Sequence, residues 1–471
     1  MSSLGSDTIC AIATSPGRGG VGIVRVSGPL CITIAQKMLG FTPTPRHAHF
    51  SDFLDSKGQV IDQGIALFFA APNSFTGEDI FELQAHGGYF VLNSLLKELL
   101  AQGARLAAPG EFSERAFLNG KMDLLQAEAI ADLIDASSEQ ASRSAMRTLQ
   151  GQFSKLINQV VQEITAVRVN IEAAIDFSDE DIDFISDLKV AQALDTIIAT
   201  TDAIAQQANQ GSLLREGINV VIAGKPNAGK SSLLNALSGN DTAIVTDVPG
   251  TTRDILSEQI NIDGMPVHII DTAGLRKTQD VVELEGVKRA HRAIQQADQI
   301  LLIIDSSQNT QTRQLIDQHI QLLELETASD NKITVVFNKC DLINKEPVIT
   351  PAEQVNGDIV SDTLPLSPHK ILSLSARTGK GMDELRQHLK DCIGFNASTE
   401  GAFLARERHL QSLSSARTLL LNAQSQLSIE APVELIAEDL RLSQKYLGEI
   451  TGEFTSDDLL GEIFSNFCVG K

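Results

Sequence analysis

The chain has 471 residues, of which 60 are acidic and 38 are basic, so its formal net charge is -22 at pH 7. This excess of negative charge disfavours broad, non-specific binding to nucleic acid or to an anionic membrane, and an RNA partner would need a local basic patch. At about 150 residues per domain the length predicts roughly three domains, and a hydrophobic content of 42% gives each of them enough residues for a core.

Cysteine usage and hydropathy predict a cytoplasmic protein without a membrane span. The five cysteines include no Cys-x-x-Cys pair and no zinc-like spacing, which is typical of a reducing compartment. The first residues lack a basic stretch followed by an apolar core, so we expect no signal peptide. No apolar run reaches the length of about 18 residues that a transmembrane helix needs.

The first predicted domain, residues 1–119, has an α+β pattern. Short strand-like runs at 21–26 and 64–69 lie between turns rich in Gly and Pro, and one helix-like run covers 91–100. Residues 120–214 contain no proline and almost no glycine, and apolar residues recur there every three or four positions. That spacing predicts long amphipathic helices, which form the first part of a helical domain.

Residues 215–392 alternate strand-like and helix-like runs, which predicts a doubly wound α/β domain. The candidate strands are 218–223, 267–270, 300–304, 333–337 and 371–374, and the candidate helices are 231–237 and 382–389. A helical pattern returns over 393–471. Because helical segments lie on both sides of the α/β domain, we expect one discontinuous helical domain with the α/β domain inserted in it. The chain is therefore predicted to be a multidomain α/β protein.

The run from Gly224 to Ser231 matches the phosphate-binding pattern G-x-x-x-x-G-K-[ST]. It follows a predicted buried strand and precedes a predicted helix, which is the context that phosphate binding requires. The glycines let backbone N–H groups face the phosphates, Lys230 reaches the β and γ oxygens, and the Ser231 hydroxyl is a ligand for Mg²⁺.

Two loops farther along the chain complete the predicted phosphate and magnesium site. Asp271 to Gly274 follow a predicted strand, so the Asp271 carboxylate can hold Mg²⁺ through water and the Gly274 N–H can contact the γ-phosphate. The polar loop 250–254 contains Thr252, the candidate for a second hydroxyl on Mg²⁺ while the γ-phosphate is present.

Recognition of the base is assigned to the segments 338–341 and 375–377, each after a predicted strand. The Asp341 carboxylate can accept hydrogen bonds from guanine N1–H and from its exocyclic amine, donors that adenine does not offer in that geometry. The sequence therefore predicts a Ras-like domain that binds and hydrolyses GTP. The predicted nucleotide-binding residues are Asn227, Ala228, Gly229, Lys230, Ser231, Ser232, Thr246, Asp247, Val248, Pro249, Gly250, Thr251, Thr252, Asp271, Thr272, Ala273, Gly274, Asn338, Lys339, Cys340, Asp341, Ser375, Ala376 and Arg377.

Two positions leave alternatives open. Leu275 stands where Ras-like enzymes carry a Gln that orients the attacking water, so another group must do this. Glu283, a short distance along the same loop, is either that group or a solvated loop charge. Asn227 is either a ligand for a monovalent cation, together with carbonyls of the 246–248 loop, or a turn-forming residue after Pro226. Such a cation would act where other GTPases place an arginine finger.

With these residues placed, the whole chain resembles the MnmE (TrmE) family of bacterial tRNA modification GTPases, which act on the wobble uridine. The matching segments are SPGRGGVG at 15–22, NSFTGED at 73–79, AHGG at 85–88, PGEFSERAFLN at 109–119, QAEAIADLIDA at 126–136 and FCVGK at 467–471. These runs are long and rich in Gly, Phe and His, residues that seldom coincide by chance, so the resemblance is specific and covers essentially the full length.

The resemblance implies a homodimer that binds 5-formyl- or 5,10-methylene-tetrahydrofolate in its N-terminal domain. Such proteins work with an FAD-containing partner, in an α2β2 heterotetramer that acts on tRNA. Together they add an aminomethyl or carboxymethylaminomethyl group at C5 of the wobble uridine. The resemblance also implies that K⁺-dependent dimerisation of the G domains activates GTP hydrolysis.

The resemblance also assigns individual residues. By position, the folate contacts are Arg25, Glu82, Lys121 and Lys471, and the K⁺ ligands are Asn227, Thr246, Val248 and Thr251. Glu283 matches the family's water-orienting Glu, which favours its catalytic interpretation. Cys468 matches a cysteine associated with the modification reaction, and its alternative interpretation is a small buried residue near the chain end.

Two other classes of function remain open on the sequence. A ribosome-assembly GTPase would switch partners without chemistry, but such proteins usually carry a basic RNA-binding appendage, whereas the flanking regions here are an acidic helical domain and a Gly-rich N-terminal domain. A scaffold whose G domains only report dimerisation is the second alternative. The presence of Lys230, Ser231 and Asp271 argues against it.

Overall fold

The computed structural model describes residues 7–176, 188–238, 257–271, 294–307, 316, 332–343, 346–351, 370–395, 401–429, 431–453, 457–465, 467 and 470. The chain divides into two compact units. The first contains Met1–Asp135, Ala145–Ala205 and Arg408–Lys471, and the second contains Ala136–Ser144 and Gln206–Glu407.

Helices and strands are numbered in chain order over the described residues. The strands are β1 (Ile9–Ile12), β2 (Gly22–Ser27), β3 (His49–Leu54), β4 (Val60–Phe69), β5 (Ile80–Ala85), β6 (Arg105–Leu106), β7 (Ile218–Gly224), β8 (Ser257–Ile262), β9 (Met265–Asp271), β10 (Gln299–Asp305), β11 (Ile333–Asn338), β12 (Val348–Pro351) and β13 (Lys370–Ser373). The helices are α1 (Cys31–Leu39), α2 (Tyr89–Ala101), α3 (Glu111–Leu118), α4 (Leu124–Asp135), α5 (Glu139–Leu149), α6 (Gln152–Asp176), α7 (Leu188–Glu216), α8 (Lys230–Ser238), α9 (Met382–Cys392), α10 (Glu407–Ser428), α11 (Val433–Thr451) and α12 (Asp457–Ser465).

The N-terminal part of the first unit is a six-stranded sheet in the order β3-β4-β5-β2-β1-β6. Successive residues of a strand point to opposite faces, so Val24 and Val26 of β2 enter a core that also contains buried residues of α1 and α2. Arg25 lies between them and therefore faces the other side of the sheet, where Phe112 of α3 packs on β1. This second face carries Arg25 and its cross-strand partner Glu82, two of the four residues predicted to bind folate.

Helices from before and after the α/β region pack together in the first unit. α11 contacts α4 and α6, and α12 contacts α3 and shares a buried apolar cluster with α4. Phe464 and Phe467 join Leu124 in one buried cluster. The buried Glu128 of α4 accepts a hydrogen bond from Arg408 of α10, which is 280 positions away in the chain, at an Oε2–Nη2 distance of 2.8 Å. The helical regions that flank the α/β region therefore share a common core.

The second unit contains a seven-stranded sheet in the order β12-β13-β11-β10-β7-β9-β8. Strands β7, β9, β10, β11 and β13 are parallel, and the two edge strands β8 and β12 are antiparallel to their neighbours. The central strands are apolar almost throughout, since parallel strands covered on both faces are buried on both sides. This is the Ras-like sheet that the sequence predicts, and the predicted fold class is confirmed.

Two boundaries between the units fall within helices. Residues of α7 up to Ala205 belong to the first unit and those from Gln206 to the second, and the second unit also includes Ala136–Ser144, which contains the first residues of α5. Within that second unit the Ser138 hydroxyl donates to the Gly264 carbonyl at 2.9 Å, at the turn between β8 and β9. The division of the chain at 119, 214 and 392 stays a prediction.

The prediction of a single helix within residues 1–119 is wrong, because α1 and α3 accompany α2 in the described part of that range. α1 contains Ile and Thr, which also favour strands, although its buried residues follow helical spacing. α3 has a charged sequence, so the face that it buries is not recognisable as an apolar stripe. Its Glu111 and Arg115 are nevertheless buried and form an ion pair at 3.2 Å. The edge strands β8 and β12 were also missed.

Across the described residues, no helix combines the length and the apolar character that a membrane span requires.

Candidate nucleotide site

The predicted phosphate loop follows β7 and leads into α8. β7 lies between β9 and β10, so the loop emerges where the order of the parallel strands reverses, which is where open α/β sheets bind ligands. Gly224 ends β7, and a Cβ built on it would lie 2.5 Å from the Ile303 carbonyl oxygen of β10. Only glycine therefore fits at the start of this loop.

Lys230 and the two serines after it begin α8. The Lys230 ammonium donates hydrogen bonds to the carbonyl oxygens of Gly224 at 2.9 Å and Lys225 at 3.3 Å. Ser231 and Ser232 are exposed. The first N–H groups of a helix have no partner within it and carry a partial positive charge, so this end of α8 is suited to phosphate.

Asn338, at the end of β11, is buried and joins three loops. Its Nδ2 donates to the Ala228 carbonyl of the phosphate loop at 3.1 Å. Its Oδ1 accepts from the backbone N–H of Lys339 at 2.8 Å and of Ala376 at 3.0 Å. One side chain therefore fixes the phosphate loop, its own loop and the loop after β13 in a single arrangement.

Lys339 carries a second connection to the phosphate loop. Its ammonium donates to the Asn227 carbonyl at 2.7 Å and to Asp305 Oδ2 at 2.6 Å. Both Asn227 and Lys339 have a left-handed backbone, with φ of 64° and 67°. Burial raises the pKa of Asp305, but hydrogen bonds from Lys339 and Ser307 outweigh burial and hold that pKa below its ordinary value.

Asp341 has an acceptor with no protein partner among the described residues. Its Oδ1 is buried and makes no hydrogen bond there, although a buried carboxylate oxygen normally does. The neighbouring residue Cys340 is buried, and its N–H donates to the Leu374 carbonyl at 3.2 Å. Burial, followed by the charge of Asp341, raises the pKa of the Cys340 thiol. A ligand that offers paired N–H donors fits this carboxylate.

The loop after β13 lies beside this carboxylate's segment. Ser375 is buried, and its N–H donates to the Lys380 carbonyl at 2.9 Å. Ala376 is buried and bound to Asn338, whereas Arg377 is exposed. Three of the predicted segments, 227–232, 338–341 and 375–377, are therefore brought together at the carboxyl edge of the sheet.

The remaining predicted residues of the nucleotide, reaction and folate sites lie outside the described residues. They are Thr246, Asp247, Val248, Pro249, Gly250, Thr251, Thr252, Thr272, Ala273, Gly274, Glu283, Cys468 and Lys471. Asp271 is described only as the last residue of β9. Its backbone reaches the same edge of the sheet, because β9 runs parallel to β7.

The residues predicted to bind folate lie in the first unit. Arg25 of β2 and Glu82 of β5 are cross-strand partners, and Arg25 Nε donates to Glu82 Oε1 at 2.8 Å. The Arg25 guanidinium lies 5.6 Å from the ring centre of Phe75 and 5.8 Å from that of Phe112, within cation–π range. Lys121 Nζ donates to the Pro72 carbonyl at 3.0 Å.

Gly470 lies beside the same sheet. Gly470 is buried, and a Cβ built on it would lie 2.4 Å from the Ile12 carbonyl oxygen at the end of β1. Its backbone is left-handed, with φ of 96°. The preceding residue of β1, Ala11, is the cross-strand partner of Arg25.

Sequence reasoning missed three residues of these sites. Phe75 and Phe112 were not assigned, because contact with Arg25 depends on the sheet register. Asp305 was also missed, although a signal was present: an acidic residue ends the apolar strand β10, as Asp271 ends β9.

A glycine-rich loop at the switch point of a Ras-like sheet, joined through Asn338 to the segment that contains Asp341, is the arrangement of a P-loop GTPase. Two family models match the chain, the "GTP-binding protein TrmE N-terminus" over residues 8–121 and the "MnmE helical domain" over residues 124–468. The chain belongs to the MnmE family of tRNA modification GTPases.

Relatives and solved structures give the extent of the similarity. The chain is 53% identical to the tRNA modification GTPase MnmE of Saccharophagus degradans and 56% identical to that of Pectobacterium carotovorum, over 99% of each chain. The G domain of the T. maritima FeoB iron transporter is 23% identical over 37% of this chain and 98% of that chain, with a TM-score of 0.25.

Proposed function

We propose that this GTPase couples GTP hydrolysis to modification of C5 of the wobble uridine in tRNA. The observation that carries the proposal is identity above 50% with tRNA modification GTPases over 99% of the chain. A ribosome-assembly GTPase or a scaffold would not require both an intact phosphate loop and this N-terminal domain. The tRNA partner would have to bind locally, since the net charge of -22 opposes broad binding to nucleic acid.

GTP would be held by the phosphate loop and by the 338–341 segment, which the Asn338 side chain joins. Lys230 and the N-terminus of α8 would bind the phosphates, and Asp341 would select guanine. Ser231 and Thr252 would be ligands of Mg²⁺, with Asp271 acting through water. The exposed Ser231 hydroxyl at the start of α8 suits this role, and the metal would neutralise charge on the phosphates.

A monovalent cation would assist hydrolysis. K⁺ would be held by Asn227 with Thr246, Val248 and Thr251, and it would supply positive charge when two G domains of a homodimer meet. Asn227 fits because it is exposed and its left-handed backbone is held by Lys339. Glu283 would orient the attacking water, a role that Leu275 cannot fill.

The N-terminal domain would bind a tetrahydrofolate derivative that supplies the one-carbon unit. Arg25, Glu82, Lys121 and Lys471 are the proposed contacts. A guanidinium held by a carboxylate and two aromatic rings suits a flat ligand with carboxylate groups, so the residues fit this class of ligand. An FAD-containing partner, in an α2β2 assembly, would complete the modification, with Cys468 taking part in it.

Three measurements on the purified protein test these parts separately. GTP hydrolysis should rise strongly in K⁺ and stay low in Na⁺, and Asn227→Ala should lose the K⁺ response while still binding GTP. Glu283→Ala should bind GTP normally and hydrolyse it about 10²-fold more slowly. With the FAD-containing partner and tRNA, nucleoside analysis should show the C5 adduct only when the folate is supplied. Absence of the adduct under all conditions would contradict the proposed modification.

A further inference from the structure

Asp305 belongs to none of the nucleotide-binding motifs, yet it lies at the edge of the nucleotide site. It ends β10, the neighbour of β7, and its Oδ2 lies 2.6 Å from the Lys339 ammonium. The Asp305 side chain is 15% exposed and the Lys339 side chain 30% exposed, so the pair is partly shielded from solvent. An ion pair in this position is worth more than a fully solvated one.

The Asp305 carboxylate is itself held in one orientation. Its Oδ1 accepts hydrogen bonds from the Ser307 N–H at 2.9 Å and from the Ser307 hydroxyl at 2.7 Å. These two donors occupy one oxygen and direct the other toward Lys339. The carboxylate is therefore a fixed anchor rather than a mobile surface charge.

Lys339 connects the Asp305 carboxylate to the phosphate loop. Its ammonium also donates to the Asn227 carbonyl at 2.7 Å. A left-handed backbone at a non-glycine residue is strained and persists only where its surroundings enforce it. Both Asn227 and Lys339 have such a backbone. The hydrogen bond between them holds the two strained residues against each other.

We infer that Asp305 is a positioning residue that, through Lys339, holds Asn227 and so couples the guanine-binding segment to the phosphate loop. Without the Asp305 charge, the ammonium would have one fixed partner fewer and would turn toward solvent. The phosphate loop would then relax at Asn227, and bound nucleotide would leave faster. A second consequence rests on the proposed K⁺ site: the Asn227 carboxamide would be less well oriented for the cation.

The test uses the full-length protein carrying Asp305→Asn, which keeps the shape of the side chain and removes its charge. Asp383→Asn is the matched control, because Asp383 is an exposed aspartate of the same unit bound to Arg386. Release of a fluorescent GDP analogue is measured in Na⁺ buffer, so the result does not depend on K⁺. We expect Asp305→Asn to release the analogue about tenfold faster, the scale of one lost hydrogen bond to a charged group, and the control to match the wild type.

K⁺ dependence is the second readout, since a purely structural ion pair would leave it unchanged. The K⁺ concentration for half-maximal GTP hydrolysis should rise in Asp305→Asn and stay constant in Asp383→Asn. If the wild type shows no K⁺ stimulation, the proposed K⁺ site fails while the GDP-release experiment still tests Asp305. Wild-type GDP release in Asp305→Asn would overturn the inference.

Ser307→Ala keeps the test decisive if Asp305→Asn does not fold. This change removes the hydroxyl that orients the carboxylate but leaves the Asp305 charge and the Ser307 N–H. We expect GDP release to accelerate by about two- to threefold, less than in Asp305→Asn. An unchanged release rate in a folded Ser307→Ala protein would contradict the role of Asp305 as an oriented anchor.

Discussion

The side chain of Asn338 donates a hydrogen bond to the carbonyl oxygen of Ala228, 110 positions earlier in the chain, at 3.1 Å. The same carboxamide accepts from the N–H of Ala376. The segments assigned to the phosphates and to the base are therefore fixed to each other by hydrogen bonds within the protein. Fewer groups have to be ordered when the nucleotide binds, and this favours affinity.

Replacement of Asn338 by Ala should weaken guanine nucleotide binding. It leaves the Ala228 carbonyl and the Ala376 N–H without their partner at a buried position, which destabilises the arrangement of the three loops by about 2–4 kcal/mol. Part of this cost must be met when the nucleotide reorders the loops, so GDP affinity should fall about tenfold or more. Calorimetric titration with GDP measures the effect. The control is Asn219→Ala, an exposed asparagine at the start of β7, at the opposite end of the sheet. An equal loss of affinity in both variants would show that the effect is not specific to the hydrogen bonds of Asn338.

A substitution at Gly229 in the phosphate loop tests the same hydrogen bond between Asn338 and Ala228. A Cβ built on this residue would lie 2.3 Å from Asn338 Nδ2, so Gly229→Ala should displace the carboxamide. Gly379→Ala is matched, since it also has a left-handed φ, of 76°, but nothing lies within 4 Å of its added Cβ. The control should lose only about 1 kcal/mol of stability. GDP affinity should fall at least tenfold in Gly229→Ala alone. Equal affinities in the two variants would contradict the claim that the hydrogen bond between Asn338 and Ala228 supports nucleotide binding.

Acid sensitivity of the N-terminal domain should depend on Glu111. Burial raises its pKa, but hydrogen bonds from Arg105 and from the Ala108 N–H, with the charges of Arg105 and Arg115, hold that pKa below its ordinary value. Its contribution to stability is therefore complete above about pH 4.5 and is lost as the pH falls through the lowered pKa. Glu111→Gln should destabilise the domain by about 1–3 kcal/mol at pH 7 and by less at pH 3.

Glu114→Gln on the same helix is the control for that prediction. Burial, followed by the charge of Glu111, raises the pKa of Glu114, so removal of its charge should not destabilise the domain at pH 7. Hydrogen exchange of α3 amides measures the local free energy of opening in each variant. The difference in the free energy of opening between Glu111→Gln and the wild type should become smaller toward low pH. If it does not, the ionised Glu111 carboxylate does not stabilise the domain as its lowered pKa indicates.

The chain end gives a prediction about the proposed folate site. Gly470→Ala would bring a Cβ against the Ile12 carbonyl oxygen. Deletion of Gly470 and Lys471 would remove the Lys471 ammonium, which is proposed to bind the folate. Both changes should weaken folate binding and stop tRNA modification, with K⁺-stimulated GTP hydrolysis unchanged. Gly461→Ala is the control, since its added Cβ meets nothing within 4 Å. Normal modification by the truncated protein would contradict the terminal site, and loss of GTP hydrolysis would indicate general damage to the fold.

The sequence predicted the Ras-like sheet well because its parallel strands are short apolar runs with few alternatives. It predicted α1 and α3 poorly. The buried charges of α3 hide its apolar face, since Glu111 and Arg115 are stable in the interior only through partners elsewhere in the domain.

In the candidate site, motifs predicted which residues bind the nucleotide but not how those residues are held. A motif fixes spacing within one loop, whereas the contacts of Asn338 and Lys339 join loops that are distant in the chain. Asp305 was missed for the same reason: its partner Lys339 is 34 positions away, and no short pattern includes both residues.

The most direct test of a guanine-specific GTPase site is the turnover of GTP and XTP by the wild type and by Asp341→Asn, side by side. Asp341 Oδ1 has no partner among the described residues, which leaves it for the guanine N–H groups. An amide at this position suits xanthine, whose C2 bears a carbonyl. The wild type should hydrolyse GTP and reject XTP, and the variant should do the reverse. If both proteins use GTP and XTP alike, Asp341 does not read the base and the proposed site is wrong.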